Sequence, residues 1–115
     1  MINYVEFAGK KVYKLRLGIG SIVELENDLG YSPLMVFGTE GAQKLPSIAE
    51  MMMILHRSLE KYEHGITKKK AEDIFDEWIE NGHTILEFVK VIVDIYKVSG
   101  ILPEEDAKGT EEAKN

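Results

Sequence analysis

Ten of the fourteen residues from Ile85 to Val98 are large and apolar: Ile85, Leu86, Phe88, Val89, Val91, Ile92, Val93, Ile95, Tyr96 and Val98. Read as a helix, they cover most of its circumference and leave one polar line, Glu87, Lys90, Asp94 and Lys97, at spacings of three and four. The segment is too short and too interrupted by charge to span a bilayer, so protein must cover it. Ile48 to Leu55, with Met51, Met52 and Met53 in succession, repeats the problem on a second helix. A chain of 115 residues leaves about a third of its unfolded surface exposed after folding. Two nearly all-apolar helices therefore predict either a central pair wrapped by the rest of the chain or an excess of apolar surface met by a second chain. On the second reading the interface residues are Met51, Met52, Ile54, Leu55, Phe88, Val91, Ile92 and Ile95.

The cover within the chain is legible from its start. Ile2 to Phe7 and Lys11 to Leu17 are rich in strand-forming residues and are parted by Ala8-Gly9-Lys10, where glycine can take a positive φ. This predicts a β-hairpin, with Val5, Phe7, Tyr13, Leu15 and Leu17 on the apolar side. A lone hairpin is marginal in water, so helices must lie on it. Ser21-Ile22-Val23-Glu24, Ser47-Ile48-Ala49-Glu50 and Thr84-Ile85-Leu86-Glu87 each read as a capping box. Gly30, Gly65, Gly82 and Gly100 read as helix stops. The helices expected are Ser21 to Leu29, Ser47 to His64, Thr67 to Asn81 and Thr84 to Ser99, with a short turn at Pro33 to Phe37. In the third of these, Ala71, Ile74, Phe75, Trp78 and Ile79 form one stripe. Gly38 to Pro46 reads as an exposed, mobile loop. The fold class is thus α+β, mostly α: an N-terminal hairpin packed on a bundle of four to five helices. One domain covers 1–102, and 103–115 reads as a disordered acidic tail.

The formal net charge is −6, and five acids against two lysines in 103–115 supply half of it. Nucleic-acid affinity rests on clustered Lys and Arg, so an acidic chain argues against that partner class. The absence of cysteine excludes a disulfide scaffold, a thiolate metal site and a cysteine nucleophile, and suits a reducing cytoplasm. The first residues, Met1-Ile2-Asn3-Tyr4-Val5-Glu6, lack the basic start and apolar run of a secretory signal. No membrane association is expected.

Few residues point to chemistry. Leu17-Gly18-Ile19-Gly20-Ser21 lies between a strand and a helix, as a phosphate-binding turn would. The third glycine of a dinucleotide fingerprint would fall at Val23, however, and no Gly-Lys-Ser/Thr follows. His56, Glu60 and His64 recur at i, i+4 and i+8 on one predicted helix, a permissive arrangement for metal but without a His-Glu-x-x-His pairing. Lys68-Lys69-Lys70 opens a helix against its dipole and reads either as a solvated face paired with Glu72 and Asp73 or as a patch for an acidic partner. His83 reads as part of a turn. No catalytic, cofactor-binding or metal residue is assigned.

Tyr13-Lys14-Leu15-Arg16-Leu17, followed by Gly18 to Gly30 with its Leu25-Glu26-Asn27-Asp28-Leu29-Gly30 ending, resembles the tail assembly chaperone family of long-tailed phages and prophages of Gram-positive bacteria. That family pairs a Tyr-x-Leu-Arg-Leu strand with a helix reading Leu-Glu-x-x-Leu-Gly, and the likeness covers about 1–101. The resemblance implies a non-enzymatic protein that self-associates, binds the tape measure protein and recruits tail tube subunits in the host cytoplasm. It also implies absence from the mature virion. Family members are often made in two lengths by ribosomal frameshifting, and this chain would be the short form. A small structural tail or connector subunit, and a metal- or phosphate-binding enzyme, stand as alternatives.

Overall fold

In the computed structural model, which describes residues 3–103, the chain opens with a hairpin of β1 (Val5–Ala8) and β2 (Val12–Leu15). The register pairs Val5 with Leu15 and Phe7 with Tyr13, which puts the predicted apolar residues on one face. Phe7, Tyr13 and Leu15 are buried there. The turn differs from its expected chemistry. Gly9 has no positive φ. It sits in a close approach instead, since a Cβ there would stand 2.6 Å from Glu77 Oε1 and 3.3 Å from the Tyr13 ring, so a side chain would displace the Glu77 carboxylate.

Leu17 continues straight from the strand, donating its N–H to Ser99 Oγ at 2.9 Å. Gly18, in extended conformation, then caps α1 (Ile19–Leu29) without any side-chain bond. The predicted Ser21 capping box does not form, because the chain is already helical two residues earlier. The other two boxes form in full. Ser47 and Glu50 open α2 (Ile48–Leu59), and Thr84 with Glu87 opens a 3₁₀ turn (Ile85–Glu87) that leads into α4 (Phe88–Val98). Thr67 caps α3 (Lys68–Glu80) through the Lys70 amide. Gly30, Gly82 and Gly100 follow helix ends with positive φ, as predicted for left-handed stops, whereas Gly65 takes positive φ in a turn beyond the end of α2.

Pro33–Phe37 is a 3₁₀ turn, as expected for a proline-led short segment. The stretch read as a mobile loop carries a minimal ladder instead, β3 (Gly38–Thr39) against β4 (Ala42–Gln43). Gly38 makes this possible, with φ of 85° and its Cα packed against the Ala42 carbonyl, where a side chain would collide. α2 ends at Leu59, short of the predicted His64, and the chain reaches Gly65 through turns. The tail expected over 103–115 lies, beyond Pro103, outside the described residues.

The core forms where α2 meets α1, α3, β2 and α4, while β1 lies on α3 and α4. Ile54, Leu55, Leu59, Ile74, Phe88, Ile92, Ile95 and Tyr96 are fully enclosed. At about 1.5–3 kcal/mol for each aliphatic or aromatic side chain fully buried, they dominate the driving force. Phe7 stacks on Trp78 with centroids 4.9 Å apart and meets Phe88 edge-on at 5.7 Å. The hairpin thus gains the lid it needs. Tyr96 is the largest enclosed side chain, and its hydroxyl donates to the Pro33 carbonyl at 2.8 Å. Among the described residues no helix is long and apolar enough to cross a membrane.

Candidate functional site

The residues expected to form an interface are mostly interior. Met51, Ile54, Leu55, Phe88, Ile92 and Ile95 lie in the core of the single chain, and Met52 and Val91 are half-buried against it. The greasy face of α4 is therefore covered by its own subunit, which corrects its assignment as an open contact surface. The physical reason is geometric. α2 and α4 are flanked on several sides by the hairpin, α1 and α3, so two broad apolar faces are hidden in one body.

The exposed apolar surface lies elsewhere. Ile19 (77% exposed) and Val23 stand one turn apart on α1, opposite to the buried Leu25. Tyr31, Leu34, Met35, Leu45 and Ile48 are exposed along the stretch from the end of α1 to the first turn of α2. Ile85 and Leu86 are exposed on the 3₁₀ turn before α4. Sequence reasoning missed this set because it sought dense apolar segments. The available signal was the opposite one, isolated apolar residues at positions outside each helix's stripe.

The 31–48 stretch is held rigidly by one acidic side chain. Glu50 is 6% exposed and accepts hydrogen bonds from the Tyr31 hydroxyl, from the Ser47 amide at 2.8 Å and from Lys44 Nζ at 3.0 Å. Lys44 also donates to the Val36 carbonyl at 2.9 Å. Burial pushes the Glu50 carboxyl up, but the bonds from Tyr31, Ser47 and Lys44 together outweigh it and leave the group below its ordinary range. The carboxylate is a structural clamp with every nearby donor satisfied.

The other chemical candidates are explained by structure. His56 Nε2 lies 2.9 Å from the Ile66 carbonyl and 3.9 Å from Glu60, whereas His64 lies beyond the end of α2 and is exposed. The expected i, i+4, i+8 line is broken by that helix end. Among the described residues no group of His, Asp and Glu is arranged to hold a metal. Arg57 is held by Asp28 through two bonds, at 2.7 and 3.1 Å, and by Glu60 at 2.7 Å. The Asp28 carboxyl is lowered first by the Arg57 hydrogen bond. Gly18 and Gly20 face open space, and Ser21 makes no cap. Lys69 pairs with Asp73 at 2.8 Å on an exposed face, so at least this part of the lysine run is solvated ion pairing.

His83, read from sequence only as a turn residue, lies flat on Trp78, with centroids 4.5 Å apart and planes 5° from parallel. Both line an open groove between β1 and α4. No curated protein and no solved structure matches the chain. A family match spans residues 4–115, and on that extent the chain belongs to DUF6096, a family of unknown function.

Proposed function

We propose that this protein is a non-enzymatic phage tail assembly chaperone, which self-associates, binds the tape measure protein and recruits tail tube subunits while tails are built. The observation that carries the protein-binding part is the set of exposed apolar side chains, chiefly Ile19, Val23, Leu34, Leu45, Ile48 and Leu86, on a well-covered core. A holder of aggregation-prone helical clients needs a stable body and accessible apolar side chains. The phage assignment rests on the resemblance of Tyr13 to Gly30 described above. Cytoplasmic residence follows from the same assignment.

The test is co-expression with a tape measure fragment. The expected result is a soluble complex on co-purification and concentration-dependent oligomers of the chaperone by light scattering. Ile19→Lys with Val23→Lys changes only exposed positions, so the fold should persist by circular dichroism while assembly or client recovery falls several-fold. A strict monomer that leaves the fragment insoluble overturns the proposal. Detection of the chain in purified virions would favour a structural tail subunit instead.

A further inference from the structure

The groove between β1 and α4 has a volume of about 340 Å³ and an apolar floor made by Val5, Trp78 and Val91. Its rim is acidic. Glu6, Glu87, Asp94 and Lys90 line it; Lys90 is already 3.2 Å from Asp94, and Glu87 Oε1 accepts from the Thr84 amide and lies 3.5 Å from His83 Nδ1. Glu6 lies opposite Lys14 in the hairpin register, but the Lys14 ammonium sits over the rings of Tyr4 and Tyr62, at 4.9 and 5.7 Å. The groove is therefore lined by three carboxylates and one lysine, with the His83 ring stacked on Trp78. Immediately before Glu87, Ile85 (41%) and Leu86 (63%) present apolar side chains to solvent.

An apolar floor, an acidic rim and an apolar shoulder are the complement of an amphipathic helix that carries a basic residue among apolar ones. Lysine and arginine suit such a place, because their stems lie on apolar surface while their heads reach carboxylates. We propose that this groove docks a helix of a client protein through a lysine or arginine received by Glu6, Glu87 and Asp94, with the client's apolar residues on Val91, Ile85 and Leu86. The inference rests on the protein-binding reading above but not on the phage assignment.

Trp78 is the only tryptophan of the chain and lines the groove, 4% exposed and stacked on His83, so its fluorescence reports occupancy through the shift of that neighbour. The probe is a synthetic amphipathic helical peptide of leucine and lysine, compared with its leucine and glutamate counterpart. The Leu/Lys peptide is expected to shift Trp78 emission saturably at micromolar concentration, with the Leu/Glu peptide at least about tenfold weaker. Glu6→Lys with Asp94→Lys should weaken the Leu/Lys peptide about tenfold or more. The charge-matched control Glu26→Lys with Glu72→Lys, at exposed sites outside the groove, should weaken it far less.

Equal binding of the two peptides, or equal loss in the groove and control variants, overturns the proposal. So does a chain that becomes monomeric only in the groove variant and excludes peptide, since its occupant is then a second copy. If wild type and groove variant hold the tape measure fragment alike, the groove is wrong and the chaperone reading stands. If the peptide binds as described while no fragment is held, the groove stands and the chaperone reading falls.

Discussion

Glu50 shows how much one side chain decides here. It completes a capping box, anchors Lys44 and accepts from Tyr31, and so ties the first turn of α2 to the segment before it. Its folded pKa is depressed, so its contribution to stability is complete above the ordinary value of 4.5 and is lost as pH falls through the lower folded value. Asp28, depressed by Arg57, adds a loss of the same sign below its ordinary 3.8. Thermal unfolding followed from about pH 7 to about pH 3 should therefore show falling stability at the acid end. Glu50→Gln should cost about 1–3 kcal/mol at neutral pH and flatten that acid limb. An acid limb unchanged by the substitution would remove Glu50 from this role. None of this was readable from sequence beyond the capping box itself, because Tyr31 and Lys44 reach Glu50 only through the fold.

At the level of elements, local signals were the dependable ones. The boxes at Ser47 and Thr84 and the stops at Gly30 and Gly100 depend on a few neighbouring residues, and the structure contains them all. The Ser21 box is absent because α1 already begins at Ile19, after Gly18, which puts Ser21 inside the first turn. The hairpin was legible in its alternation, but the reason for Gly9 was not, since Glu77 is far away in sequence. That contact belongs to a clamp. Asn81 Nδ2 donates to the Ala8 and Gly9 carbonyls at 3.1 and 3.0 Å, and Glu77 accepts from the Lys10 amide at 3.0 Å. Asn81→Ala should cost about 0.5–1.5 kcal/mol. Hydrogen exchange should then quicken at the β1 and β2 amides while α2 keeps its protection. Uniform quickening across all elements would mean that the clamp is not specific to the hairpin.

For the molecule as a whole, the candidate surface was less legible than the fold. Apolar density marked α2 and α4 correctly as demanding cover, yet density alone does not say whether the cover is the same chain or another. Here the same chain supplies most of it, with Phe88 touching Phe7, Phe75 and Trp78. Phe88→Ala should therefore destabilise the isolated subunit by about 3–5 kcal/mol, whatever its oligomeric state. Denaturant unfolding at two protein concentrations checks this. A loss that vanishes on dilution would place Phe88 between subunits. The long-range bonds have a further consequence for synthesis on the ribosome. Tyr96 reaches Pro33, Ser99 reaches Leu17 and Asn81 reaches the hairpin tip, so earlier parts are fastened by parts made 63 to 82 residues later. Until the segment through Ser99 has emerged, the opening strands have α2 beneath them but lack the α3 and α4 contacts that complete their seat, which favours late, cooperative folding.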